Sequence, residues 1–127
     1  MVNFDMKSLA KRGEDYLEVI YSMSIEHGHA HSADIARTLG VSKPTVFKAL
    51  QTLAEQGFLH KKPYGDVTLT QKGEEHARVV IEKHNAVKRL LTEVLKVTPE
   101  QAEIDACKIE HCLSEETMEK LLDFLSK

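Results

Sequence analysis

Cys107, Glu110 and His111 set a thiol, a carboxylate and an imidazole at one-turn spacings near the end of the chain, within "CKIEHCLS". On an α-helix each residue turns by about 100°. Glu103, Cys107 and Glu110 then share one face and His111 borders it, beside an apolar stripe of Ala102, Ala106, Ile109 and Leu113. Thiolate, imidazole and carboxylate oxygen are the donors that hold divalent transition metals, and a face next to a buried stripe would suit a site between helices. Two other places carry donors. Asp15 and Glu18 are i, i+3 neighbours off an apolar stripe, and His84 stands in "IEKHNAVKRLL". Taken singly, each also fits a solvated helix face, and a lone cysteine also fits as a small hydrophobe.

The elements that must position these residues are legible in the spacing. Leu9, Tyr16, Leu17, Ile20 and Met23 predict a first helix, broken by "HGHAH". Ser32 is the expected cap of a short helix ending at Leu39, with Gly40 at its left-handed end. Ser42 caps the next, with Pro44 in its first turn, and Val46, Leu50 and Leu53 form its buried face. "FLHKKPYGDVTLT" switches to alternation around Pro63-Tyr64-Gly65 and predicts a β-hairpin. A long helix follows from about Gln71 to Leu95. Thr98, Pro99 and Gln101 open another that runs to about Cys112, with Gln101 expected to reach back to the cap. Ser114 caps a last helix, with Glu115 and Glu116 in its first turn. The expected fold is mostly α with a small β-hairpin. A winged helix-turn-helix occupies residues 1–72 and a helical domain residues 73–127.

Composition narrows the classes. The chain has 127 residues, 29% of them charged, and no apolar run near the roughly 20 residues that a bilayer span needs. Nothing at its start reads as an export signal, so a cytoplasmic location is expected. Cys107 and Cys112, five apart on a helix, are too far separated for a disulfide within the chain. The net charge of -3 is uneven: residues 33–72 carry six Lys/Arg against three Asp/Glu, whereas residues 73–127 carry eight against twelve. A basic middle between acidic flanks points weakly to a polyanionic partner.

The middle segment sharpens that hint. Ile35, Leu39, Val41, Val46 and Leu50 would lock two helices at a fixed angle. Ser42, Lys43, Pro44, Thr45 and Lys48 then project together from the second helix, short or basic as a DNA major groove requires. Lys61 and Lys62 on the hairpin would meet phosphates. The plainer alternative is a helical pair packed for structure, with Ser42 and Pro44 acting only as capping residues.

Taken as a whole the chain resembles the diphtheria-toxin-repressor family of iron- and manganese-dependent regulators. "EDYLEVIY", "VSKPTV", "LTQKGEEHARVVIEKH" and "CKIEHCLS" carry the likeness, in the family's order, over residues 14 to 114. The resemblance implies a short form without the C-terminal SH3-like domain of longer members. It implies metal ligands at Asp15 and Glu18, as in the manganese branch, and at His84, Cys107, Glu110 and His111, with Glu103 a less secure candidate. Ser42, Pro44, Thr45 and Lys48 match base-contacting positions. A carboxylate usual in the manganese branch is replaced by Cys107, and the iron branch lacks the Asp15/Glu18 pair, so the ligand set is a hybrid. Lys88 and Glu103 depart from the ancillary site of the iron branch.

The expected function is a metal-dependent repressor that binds operator DNA as a homodimer and controls metal-ion uptake. The thiolate tilts the expected metal to Fe²⁺ with Mn²⁺ as the alternative, and Zn²⁺ or Co²⁺ could occupy the site in vitro. Leu95, Ala102, Ala106, Ile109, Leu113, Leu121, Leu122 and Leu125 offer more apolar surface than three helices hide, hence a two-fold partner. Two rival readings remain. One is a metal-independent winged-helix regulator sensing oxidants through Cys107 or Cys112. The other is a zinc hydrolase using His84, Glu110 and His111; no enzyme activity is the main expectation.

Overall fold

The computed structural model describes residues 11–127, so Leu9 lies outside the described residues. The chain divides into two compact units, one up to Arg78 and one from Val79.

In the first unit, α1 spans Lys11–His27 and buries Tyr16, Leu17 and Ile20, the stripe expected of it. Helix α2 spans Ser32–Leu39 and ends at Gly40 with φ 67°, a left-handed conformation that glycine adopts without steric cost. Its N-cap is His31 and not the expected Ser32: His31 Nδ1 accepts from the Ala33 N–H at 3.1 Å. An imidazole nitrogen supplies the acceptor one position earlier than the hydroxyl would. Helix α3 spans Lys43–Glu55 and is capped by Ser42, whose Oγ accepts from the Thr45 N–H at 3.3 Å.

The hairpin consists of β2, Leu59–Lys61, and β3, Asp66–Leu69, paired antiparallel with Leu59 opposite Leu69. A third strand completes the sheet. β1, Ala30–His31, pairs with the other edge of β3, placing Ala30 opposite Val67. The stretch read as a helix break thus contains a strand, set by partners far along the chain. Leu17, Ile20, Ile35, Leu50, Phe58 and Val67 close one continuous apolar core between helices and sheet.

Thr70 joins the hairpin to α4, Gln71–Arg89. Its Oγ1 accepts from the Gly73 N–H at 3.1 Å and donates to the Gly57 carbonyl at 2.6 Å. Gly73 permits this approach, because a Cβ there would lie 1.9 Å from the Phe58 carbonyl oxygen. The helix was expected to run regularly to Leu95. Instead it widens into a π-helical turn at Leu90–Val94, with the Leu95 N–H reaching back to the Leu90 carbonyl at 3.1 Å.

In the second unit, α5 spans Pro99–Ile109 under a Thr98 cap whose Oγ1 accepts from the Gln101 N–H. The Gln101 side chain does not return to that cap; it donates to Asp105 at 2.9 Å. A 3-10 turn, Glu110–Cys112, replaces the expected last α-helical turn. Helix α6, Glu115–Leu125, is capped by Ser114 as expected. Val87, Leu91, Ala102 and Ala106 form the core of this unit, edged by Val97, Leu113 and Leu121. Ile104, Ile109, Leu122 and Phe124 stay on its surface. Among the described residues no helix is long and apolar enough to cross a membrane.

Candidate metal centre and nucleic-acid interface

The second unit holds four of the expected ligands, His84, Cys107, Glu110 and His111, about a buried carboxylate. His84 comes from α4, Cys107 from α5 and Glu110 from the 3-10 turn, and one donor atom of each lies within 4.8 Å of the others. Glu110 opens the 3-10 turn and is 1% exposed. His84 Nδ1 comes to 2.8 Å from Glu110 Oε2, and His111 Nε2 to 3.2 Å from Glu110 Oε1. Neither contact has hydrogen-bond geometry, and both Glu110 oxygens and His84 Nδ1 are buried without a hydrogen bond.

A carboxylate buried without a hydrogen bond is costly to desolvate. Here an imidazole, a thiol and a carboxylate are gathered within 4.8 Å of one another, with a second imidazole at 3.2 Å from the carboxylate. That is the arrangement that a divalent cation satisfies, so the residues present fit one. Lys83, itself buried, donates to the Leu113 carbonyl at 3.3 Å and holds the chain just after the turn that presents Glu110 and His111.

Glu103 stands on the far side of His84. Its Oε2 lies 2.9 Å from His84 Nε2 and its Oε1 2.9 Å from Lys88 Nζ. The Lys88 ammonium, more than the His84 contact, holds the Glu103 carboxyl below the usual carboxylate range against the opposing effect of burial. Sequence spacing grouped Glu103 with Cys107 and Glu110 on one face and did not reveal that it meets the opposite nitrogen of the imidazole.

The remaining expected ligands, Asp15 and Glu18, lie in the first unit, one turn apart on α1. Both are partly buried, and the Asp15 carboxylate accepts from Lys11 Nζ at 3.1 Å. Just before them Glu14, 4% exposed, meets the fully buried His76 at 2.9 Å, a hydrogen bond between α1 and the first turns of α4 that no sequence pattern announces.

The first unit also presents the expected polyanion face. Ser42, Lys43, Pro44, Thr45 and Lys48 are exposed on and before the first turns of α3, and Lys61 and Lys62 are exposed on the hairpin. A groove of about 540 Å³ separates α3 from the hairpin, with Lys43, Lys61 and Lys62 on its walls. Phe47, 62% exposed, stands in it with Lys61 Nζ 3.8 Å above its ring. Sequence reasoning missed Phe47. Its position between two faces of α3, one residue past buried Val46 and one before exposed Lys48, was the available signal.

Comparison with known proteins follows the same division. Residues 8–67 match the iron dependent repressor N-terminal DNA binding domain, and residues 70–127 match the iron dependent repressor metal binding and dimerisation domain. The chain belongs to the iron-dependent repressor family. It is 44% identical over 111 residues to the transcriptional regulator MntR of Salmonella typhimurium, covering 87% of this chain and 70% of that protein. It is 32% identical over 120 residues to the diphtheria toxin repressor of Corynebacterium glutamicum, covering 94% of this chain and 53% of the relative. Among solved structures, that of the manganese regulator SloR superposes with a TM-score of 0.80 at 29% identity, over 90% of this chain and 53% of that one. The chain thus spans about half the length of these last two. The iron-dependent repressors are DNA-binding transcriptional regulators and not enzymes, which sets aside the hydrolase reading.

Proposed function

We propose that this chain is a metal-dependent transcriptional repressor that binds operator DNA as a homodimer when loaded with a divalent metal, and so controls metal-ion uptake. One observation carries the reading. A buried carboxylate without a hydrogen bond, Glu110, faces His84 and Cys107 in a chain whose other unit is a winged helix-turn-helix with a basic face.

The assigned ligands are Asp15, Glu18, His84, Cys107, Glu110 and His111. A bound divalent cation supplies the positive charge that offsets the mutual repulsion of the carboxylates. In the metal-loaded dimer the two recognition helices would stand about one DNA turn, ~34 Å, apart. A coupling of about 1–3 kcal/mol between metal and DNA is typical of such switches. Ser42, Pro44, Thr45 and Lys48 are assigned to base edges, and Lys43, Lys61 and Lys62 to phosphates. The functional boundary is placed at residue 72, after the wing.

Fe²⁺ is the proposed metal. Oxygen donors suit both Mn²⁺ and Fe²⁺, and the Cys107 thiolate favours the softer ion. Mn²⁺ is the alternative, supported by the likeness to the manganese regulator SloR. The second copy is assigned to the exposed apolar residues of α5 and α6, among them Ile104, Ile109, Leu122 and Phe124. As a chromosome-binding regulator the protein is placed in the cytoplasm.

The test is metal analysis of protein purified without added metal, then DNA binding, by fluorescence anisotropy, to duplexes selected from a random pool with each cation in turn. Tightened binding with Fe²⁺ or Mn²⁺ that a chelator reverses is the expected result. Binding that ignores chelator but responds to peroxide would replace this reading with oxidant sensing.

A further inference from the structure

His84 sits between two carboxylates, one facing each ring nitrogen. On one side Nδ1 lies 2.8 Å from Glu110 Oε2 with no hydrogen bond. On the other, Nε2 lies 2.9 Å from Glu103 Oε2. A neutral imidazole has one N–H and one lone pair, and its partners decide which nitrogen carries which. An ionised carboxylate only accepts. Glu103 is held in place by Lys88, whose Nζ lies 2.9 Å from Glu103 Oε1. Lys88 follows His84 by one turn on α4, and Glu103 precedes Cys107 by one turn on α5. The two helices are therefore joined by a forked contact in which a single carboxylate binds both side chains.

We propose that Glu103 is a positioning residue and not a ligand: anchored by Lys88, it accepts the Nε2–H of His84 and thereby keeps the Nδ1 lone pair turned toward Cys107 and Glu110. Only a deprotonated nitrogen can ligate, and a ring free to flip or change tautomer would present the wrong atom part of the time. The fork removes both freedoms before any cation arrives. It also accounts for the side of the imidazole on which Glu103 lies, away from the three converging donors.

This inference rests on the metal-centre reading, and its test separates the two. In metal-free protein with ¹⁵N-labelled histidine, long-range ¹H–¹⁵N correlation spectra report the His84 tautomer directly. The wild type should show the Nε2–H form. Glu103→Ala, an exposed helical substitution that leaves the core untouched, should lose that preference. In the same variant Mn²⁺ affinity, read by competition with a fluorescent chelator, should fall about 10- to 100-fold. Lys88→Met should keep the tautomer and lose only a few-fold in affinity. A Glu103→Ala protein with weakened affinity and an unchanged tautomer would make Glu103 a ligand or a plain charge and overturn the proposal. Unchanged affinity in Glu103→Ala beside a metal-binding wild type would sink the positioning role alone. A wild type that takes up no metal would sink the metal centre itself, and with it the purpose assigned to Glu103.

Discussion

The two units solve opposite problems. The unit up to Arg78 closes a broad aliphatic core on three helices and a sheet, and its buried Glu14 is hydrogen-bonded to His76 at 2.9 Å. The unit from Val79 has a small core centred on Val87, Leu91, Ala102 and Ala106, leaves Ile104, Leu122 and Phe124 outside, and buries Glu110 without a hydrogen bond. One is finished by aliphatic packing; the other is unfinished in that its buried Glu110 carboxylate makes no hydrogen bond. The contrast teaches where responsiveness resides: a region can answer to a ligand only if some of its groups are left unsatisfied until the ligand comes.

The comparison can be broken most severely in the finished unit. Gly73→Ala puts a Cβ against the Phe58 carbonyl and forces backbone to move, so urea unfolding should show a loss of about 3 kcal/mol or more. An alanine accepted without cost would mean that this joint is loose. Next comes the unfinished unit. Glu110→Gln keeps the side chain's shape and adds a donor for His84. Metal-free protein should gain about 1 kcal/mol in stability while metal affinity falls about 100-fold, or ~2.7 kcal/mol. Stability and affinity falling together would contradict the claim that Glu110 is held at a cost.

Asp15→Ala should weaken metal-induced DNA binding by roughly 5- to 150-fold while leaving a folded dimer; a gel-shift titration with undiminished metal dependence would refute the assignment. Cys107→Glu replaces thiolate with oxygen and should move the ratio of Mn²⁺ to Fe²⁺ activation about tenfold toward Mn²⁺. Equal activation profiles for variant and parent would count against the softness argument.

The smallest effect belongs to Lys88. The carboxyl of Glu103 is held below its ordinary range, first by Lys88. The stabilisation it gives is therefore complete above the pKa of the unfolded carboxyl and is lost as pH falls through the folded one. Both side chains are well exposed, so Lys88→Met should cost only about 0.3 kcal/mol at neutral pH. That cost should vanish in acid, as paired thermal melts at pH 7 and pH 3 would register.

Local chemistry was legible in the residues themselves. Ser42 with Pro44, Thr98 with Pro99, and Ser114 were readable as helix starts because a cap and its N–H lie within three residues of each other. The strand at Ala30–His31 was not readable, since its partners are Val67 and Asp66 and no local pattern announces a two-residue strand. The cap at His31 was missed because imidazole seldom takes that role. At the candidate centre, residue type and helical spacing brought out Cys107, Glu110 and His84. Glu110 opens a 3-10 turn that spacing treated as α-helix, and the two-sided use of His84 depended on which ring nitrogen faces which helix.

Tyr64 stands at the tip of the hairpin, 95% exposed and with a φ of 63°. The chain contains no tryptophan. A single indole placed at that tip would be the molecule's sole red-shifted emitter, seated where the wing would approach a duplex and far from any core it could disturb. Quenching or anisotropy at that one position could then follow repressor docking in real time, without a dye on protein or DNA.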